Sequence, residues 1–257
     1  MGQRTNGGIP TGAVVLAGLA VLPPFLVAGL SSPGRRFALV AEDGPVEWVG
    51  ATAWGIAAIA FLLALRGRRR GAPHPLWLLG LALISLLAAG EEISWGQRVF
   101  DYETPSSVAE SNLQREMNLH NLRALDGRVT ADGSVKKEGL AAWLTFNRMG
   151  FLLWAGFLVA LPLLCGPSGI ARPLARRLRL PVAPLGVAGA ALLSYAASRL
   201  LFEHGSGAAV DGLMLRVAAD EIHETVVAVL FAVSALALAR RAHVGGRADE
   251  TAGSGGT

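Results

Sequence analysis

The sequence predicts an all-α membrane protein, a polytopic bundle of about six transmembrane helices. Two observations support this fold class. The 257 residues are 52% hydrophobic and only 16% charged, with a mean hydropathy of +0.45, which is too apolar for an ordinary soluble domain. The apolar residues also come in blocks of about 20, the length that a helix needs to cross the hydrocarbon core of a bilayer.

Six such blocks are the predicted spanning helices, at residues 11–30, 46–65, 76–95, 140–165, 182–203 and 213–239. The first block is longer than the apolar core of a secretory signal, so we interpret it as a helix bent at Pro23 and Pro24. A cleaved signal is the alternative, and it would leave the rest of the topology unchanged.

Arginine clusters follow the second, fourth and sixth blocks. Positively charged helix ends favour the cytoplasm, so both termini are predicted to be cytoplasmic in a multi-pass protein of the plasma membrane. Residues 1–241 form one predicted membrane domain, and the Gly-rich residues 242–257 a disordered cytoplasmic tail. The basic residues lie at helix ends, so the net charge of +4 does not indicate a nucleic-acid partner. The abundance of Arg, Ala and Gly suggests a bacterial source.

A long outer loop is predicted at residues 98–139. Thr104 and Pro105, followed by two serines, are typical of a helix start. A rough helical face follows, made of Val108, Leu113, Met117, His120 and Ala124. We therefore expect an amphipathic helix that lies in the outer interface and covers the site as a lid.

Two adjacent carboxylates, Glu91 and Glu92, fall inside the third apolar block. Ionisable groups within a membrane are costly and usually mark a function. With a rise of about 1.5 Å per residue, four helices place polar groups at one outer depth. These groups are Glu91, Glu92, Asn147, Arg148, Arg199, Glu221, His223 and Glu224.

The residue types suggest three roles. Carboxylates and an imidazole can act as general base and acid, and the candidates are Glu91, Glu92, Glu221, Glu224 and His223. Groups that can hold an anionic head group are Arg98, Asn118, His120, Asn121, Asn147, Arg148 and Arg199. A divalent metal such as zinc, if one is used, would have three nitrogen ligands, His120, His204 and His223.

Two resemblances bear on the chemistry. The segment Glu91 to Trp95 resembles the paired-glutamate motif of the CAAX-type intramembrane glutamic proteases. Arg98 lies further from the glutamates than that family's arginine, and His223 lacks the expected Asn or Asp four residues later, so we do not assign the chain to the family. The three histidines are also similar to those of the ceramidase and adiponectin-receptor type of zinc hydrolase, without its His-x-x-x-His motif.

Three functions from different classes remain open. We expect a hydrolase or transferase that acts on a lipid or lipid-linked substrate near the outer membrane face. A proton- or cation-coupled transporter is the alternative, because buried carboxylates can carry ions. The third is a structural scaffold, in which Glu91 and Glu92 form ion pairs with Arg148 and Arg199.

Overall fold

The computed structural model describes residues 21–41, 44–67, 72–125, 143–166, 169–205 and 210–253. This part of the chain is helical with irregular connections, apart from one isolated β-bridge between Asn112 and Leu122. The fold class is therefore all-α, consistent with a helical membrane bundle. Five stretches of the described residues are long and apolar enough to cross a membrane: Pro33–Arg66, Pro75–Glu92, Phe146–Cys165, Leu185–His204 and Val210–Ala242.

The described helices, in chain order, are α1 Leu22–Leu30, α2 Pro33–Val40, α3 Pro45–Arg66, α4 Pro75–Glu92, α5 Gln97–Phe100, α6 Ser106–Ser111, α7 Phe146–Cys165, α8 Arg172–Leu178, α9 Leu185–His204 and α10 Val210–Gly253. Within α7, the residues Ala155–Ala160 are π-helical. Proline occupies the first turn of α1 to α4, where its missing N–H has no helical partner to lose.

The second to sixth apolar blocks are confirmed as helices, to within a few residues at most ends. The first block lies largely outside the described residues, and only α1, with nine residues, represents it. At about 1.5 Å per residue, α1 alone is too short to cross a bilayer. The predicted boundary at residue 242, between the membrane domain and the cytoplasmic tail, stays a prediction. In the structure α10 continues past it to Gly253.

Hydrogen bonds show which connections lie at the same end of the bundle. At one end, His74 N donates to Arg179 O at 2.8 Å, and Arg179 Nε donates to Ala72 O at 2.8 Å. At the other end, Thr225 Oγ1 of α10 donates to Val46 O at the start of α3, at 3.1 Å. We call these the arginine end and the glutamate end, after Arg179 and the paired glutamates that close α4.

The bundle core lies where α3 packs against α10. Small side chains let the two helices approach closely, since Ala57 and Ala228 are fully buried. Aromatic rings fill the remaining space, with Phe231 centred 4.8 Å from Trp54 and 4.9 Å from Phe157 of α7. These contacts fix the positions of α3, α7 and α10, and so of the side chains at the glutamate end.

Arg36 of α2 is buried and ties three segments together. Its Nε donates to Ala28 O at 2.9 Å, one terminal nitrogen donates to Ser31 O at 2.8 Å, and the other pairs with Asp211 of α10. A buried guanidinium needs such partners to offset the loss of hydration. Arg36 thus joins α1 and α2 to the first turn of α10.

The predicted amphipathic helix of the outer loop is only partly present. It begins at Ser106, directly after Pro105 as expected, but it ends at Ser111. Asn112 is the reason, because its Oδ1 accepts from the backbone N–H groups of Gln114 and Glu116, at 2.8 and 3.3 Å. An Asn side chain that takes these donors competes with the helix. The helical face predicted to run on to Ala124 was therefore wrong, and residues 112–125 form a compact irregular loop.

Candidate functional site

The chain reverses sharply after α4 through three consecutive left-handed residues. Ser94, Trp95 and Gly96 have φ values of 44°, 56° and 78°. Only glycine adopts this conformation without cost, so two strained residues mark an unusual turn. The turn lays the Trp95 indole over Gly90, where a Cβ would lie only 2.9 Å from the ring. The motif Gly90 to Gly96 thus makes a closed turn at the end of a membrane helix.

Glu91 is held in this turn by four hydrogen bonds, and only 4% of the residue is exposed. Trp95 Nε1 donates to its Oε1 at 2.7 Å. Its Oε2 accepts from the backbone N–H groups of Leu119 and His120, at 2.6 and 3.0 Å. The ring nitrogen Nδ1 of His120 is the fourth partner, at 3.3 Å. Such bonds stabilise the carboxylate form, and they leave Glu91 as a fixed charge beside an imidazole.

The imidazole of His120 is bonded on both sides but stays accessible. Nδ1 faces Glu91, Nε2 lies 2.9 Å from Nδ2 of Asn121, and the side chain is 37% exposed. A neutral ring with the proton on Nδ1 satisfies both contacts. Burial lowers the pKa of His120, but the hydrogen bond and charge of Glu91, with the charges of Glu224 and Glu92, outweigh burial and raise it above 6.5.

A buried polar network holds the loop that carries His120. Asn118 Nδ2 donates to Ser94 Oγ at 3.3 Å and to Glu116 Oε2 at 3.2 Å, and Ser94 Oγ donates to the same Glu116 oxygen at 2.7 Å. Gln97 Oε1 accepts from Met117 N at 2.9 Å. Asn118, which we expected to bind substrate, is almost fully buried within this network. Its contacts position the loop against the turn.

Glu92 occupies a second environment, on the side of α4 that faces the bundle. A Cβ on Gly50 of α3 would lie 3.2 Å from its Oε2, and the Trp54 indole is within reach of the Glu92 carboxyl group. The charges of Glu47 and Glu224 act on Glu92 as well. The adjacent glutamates therefore lie in neighbouring sites: Glu91 lies under the loop, and Glu92 lies between α3, α4 and α10.

The sequence predicted Glu92, Glu221 and Glu224 at one outer depth, and in the structure they lie within electrostatic range of one another. Glu221 lies within electrostatic range of Glu224, Glu92 and Glu47. Glu47 was missed as a member of this group, although its place in the first turn of α3 puts it at the same depth. Glu47, Glu92, Glu221 and Glu224 thus group at the glutamate end, and Asp220 is also within electrostatic range of Glu221.

His223 lies at a similar depth but apart from this group, on the side of α10 that faces α7 and α9. Its Nδ1 is 2.9 Å from Oγ of Ser194, and the rings of Trp154 and Tyr195 lie 5.1 and 5.8 Å away. Among the described atoms, its buried Nε2 has no hydrogen-bond partner. Ser194 was missed in the sequence because a serine in an Ala-rich helix is usually a packing residue.

The remaining candidates are dispersed. Arg148 stacks on Trp143 at 5.1 Å, beside the exposed Asn147, while Arg199 pairs with Glu203 at 3.0 Å. Within the described residues, neither arginine forms an ion pair with Glu91 or Glu92. The side chain of Arg98 lies outside the described part of the structure.

The three histidines proposed as metal ligands are not brought together. His120 contacts Glu91, His223 contacts Ser194, and His204 is exposed at the end of α9. In the described ranges there is no group of three or more His, Cys, Asp or Glu side chains that could hold a metal ion.

The pair of Glu91 and His120 is the arrangement with the clearest chemistry. A buried carboxylate that orients an accessible imidazole allows that imidazole to accept and return a proton. No known protein family, curated protein or solved structure matches this chain in the comparisons made. The site itself is therefore the basis for assigning a function.

Proposed function

We propose that this protein is a membrane-embedded hydrolase or transferase that acts on a lipid or lipid-linked substrate at its glutamate end. The observation that carries the proposal is the contact between the buried Glu91 carboxylate and Nδ1 of the accessible His120 ring. His120 is the general base and acid, and Glu91 is the residue that orients it.

In this mechanism Nε2 of His120 takes a proton from water or from an acceptor hydroxyl while that oxygen attacks the substrate. The same proton then passes to the leaving oxygen. Asn121 now occupies Nε2, at 2.9 Å, so substrate binding has to displace its amide. Asn147 and Arg148 follow Phe146, whose ring lies 5.8 Å from the His120 ring, and we propose that these two residues bind an anionic head group.

The surroundings of His120 favour a lipid as the substrate. Three large side chains near the ends of the spanning helices are exposed: Trp95, Trp143 and Leu144. Tryptophans at this level are typical of the boundary between a membrane and water. We further propose six spanning helices in the plasma membrane with both termini in the cytoplasm, so that the glutamate end faces outward.

The test is product formation from lipids in proteoliposomes, followed by mass spectrometry. The wild type is compared with His120→Ala and with the control His74→Ala, a histidine at the arginine end. Loss of a general base typically costs about 100-fold or more in rate, so we expect that loss for His120→Ala and near-wild-type turnover for His74→Ala. Equal rates in all three proteins, or no lipid product from the wild type, would contradict the proposal.

A second candidate is a proton- or cation-coupled transporter, favoured by the group of Glu47, Glu92, Glu221 and Glu224. Carboxylates inside a bundle can carry protons across a membrane. Flux into proteoliposomes that is lost in Glu92→Gln and kept in His120→Ala would favour transport over hydrolysis. A scaffold remains the alternative if neither substitution changes flux or turnover.

A further inference from the structure

The arginine end contains a basic cleft of about 390 Å³ that takes no part in the proposed chemistry. Three arginines line it, Arg172 and Arg176 of α8 and Arg179 directly after it. Its other walls include Cys165, Leu180 and Val182, and none of the described residues that line it is acidic. The cleft is therefore lined by arginines together with apolar side chains.

The short helix α8 separates three kinds of side chain. Successive residues turn by about 100° around a helix. Ala175 is buried and also lines the cleft, and Leu174 and Leu178, four residues apart, are exposed together with Ile170 before the helix. Arg172 and Arg176, also four apart, lie on the remaining side and line the cleft. This is the pattern of a helix that lies in a membrane interface, with apolar residues toward acyl chains and basic residues toward head groups.

The position of the cleft agrees with that pattern. Cys165 is the last residue of α7, and Pro73 lies two residues before α4 begins, so the cleft opens where spanning helices end. The half-exposed Trp77 marks the same level, and its indole donates to Leu178 O at 3.2 Å. Tryptophan is enriched at the depth of lipid head groups.

We propose that this cleft binds the head group of an anionic phospholipid. The phosphate would be held by Arg172, Arg176 and Arg179, since guanidinium groups bind phosphate oxygens through paired hydrogen bonds. The acyl chains would run beside the exposed face of Leu174 and Leu178. This site lies at the opposite end of the bundle from His120 and does not depend on the proposed enzymatic function.

The test uses full-length protein in nanodiscs made of phosphatidylcholine and phosphatidylglycerol. Native mass spectrometry then counts the lipids that stay bound after release. Arg176→Gln removes a cleft arginine, and Arg177→Gln removes the same charge from the neighbouring position, which does not line the cleft. We expect Arg176→Gln to weaken retention of phosphatidylglycerol about fivefold and Arg177→Gln to change it less than twofold. Equal weakening in both variants, or no preference for phosphatidylglycerol in the wild type, would overturn the proposal.

The reactivity of Cys165, the single cysteine of the chain, can report where the lipid binds, because Cys165 lines the cleft. Its reaction rate with a small neutral thiol reagent is measured with and without phosphatidylglycerol. We expect the lipid to slow the reaction severalfold in the wild type and in Arg177→Gln, and to have little effect in Arg176→Gln. The variants separate occupancy from a general change in surface potential, which would affect all three proteins alike. A rate that the lipid leaves unchanged in every protein would place the bound lipid elsewhere.

Discussion

At the scale of single residues, the site depends on how two adjacent glutamates are divided between two environments. An α-helix places neighbouring side chains about 100° apart, so Glu91 and Glu92 cannot face the same way. The left-handed turn at Ser94 and Trp95 closes over Glu91 and leaves Glu92 to the bundle. The sequence indicated that this pair was functional. It could not indicate which glutamate faces which side, because that depends on backbone conformations which serine and tryptophan rarely adopt.

Gly90→Ala tests this turn directly. The new Cβ would lie 2.9 to 3.0 Å from the Trp95 ring, so the ring has to move and its hydrogen bond to Glu91 is strained or lost. We expect a loss of about 1–3 kcal/mol in stability, as overpacking of a well-packed site usually gives, and a change in Trp fluorescence. Gly55→Ala is the control, since a Cβ there meets nothing within 4 Å. Equal melting temperatures for the two variants would show that the contact at Gly90 contributes little.

At the scale of elements, the long helices could be predicted and the loop between α4 and α7 could not. The helices could be predicted because each is an uninterrupted apolar block, and the length and hydropathy of such a block are enough to predict a membrane span. The loop was predicted as one amphipathic helix from its apolar spacing. The helix ends after six residues, because the Asn112 side chain accepts hydrogen bonds from two backbone N–H groups that follow it. The signal was present in the sequence, since Asn is common where helices end and turns begin.

The link between α2 and α10 gives a prediction at the same scale. Arg36→Ala leaves Ala28 O, Ser31 O and Asp211 without this donor. We expect a loss of about 1–3 kcal/mol in stability, the usual result when buried polar groups lose their partner. Asp211→Asn should cost less, because the Asp211 side chain is more than half exposed and solvent screens its charge. Thermal unfolding in detergent measures both variants. A larger effect from Asp211→Asn would contradict the assigned role of Arg36.

At the scale of the whole molecule, the bundle has a different chemistry at each end. The glutamate end gathers carboxylates, His120 and a polar network, while the arginine end gathers basic residues around a cleft. The sequence predicted this division from the arginine clusters and from the shared depth of the acidic residues. Depth counts are reliable because the helical rise is constant. The direction in which a side chain faces cannot be counted in this way. For this reason Arg148, Arg199 and the three histidines, although all predicted on the outer side, lie in separate surroundings.

The most direct test of the central proposal is the pH dependence of lipid turnover in the wild type beside Glu91→Gln. His120 acts as a base only when it is neutral, and its pKa lies above 6.5 because Glu91 stabilises the charged form. Wild-type activity should therefore rise with pH through that pKa. In Glu91→Gln the rise should move to lower pH, since the charge that raises the pKa is gone, and the plateau should fall because the ring is no longer oriented. A rise at the same pH in both proteins would contradict the proposed pairing of Glu91 with His120.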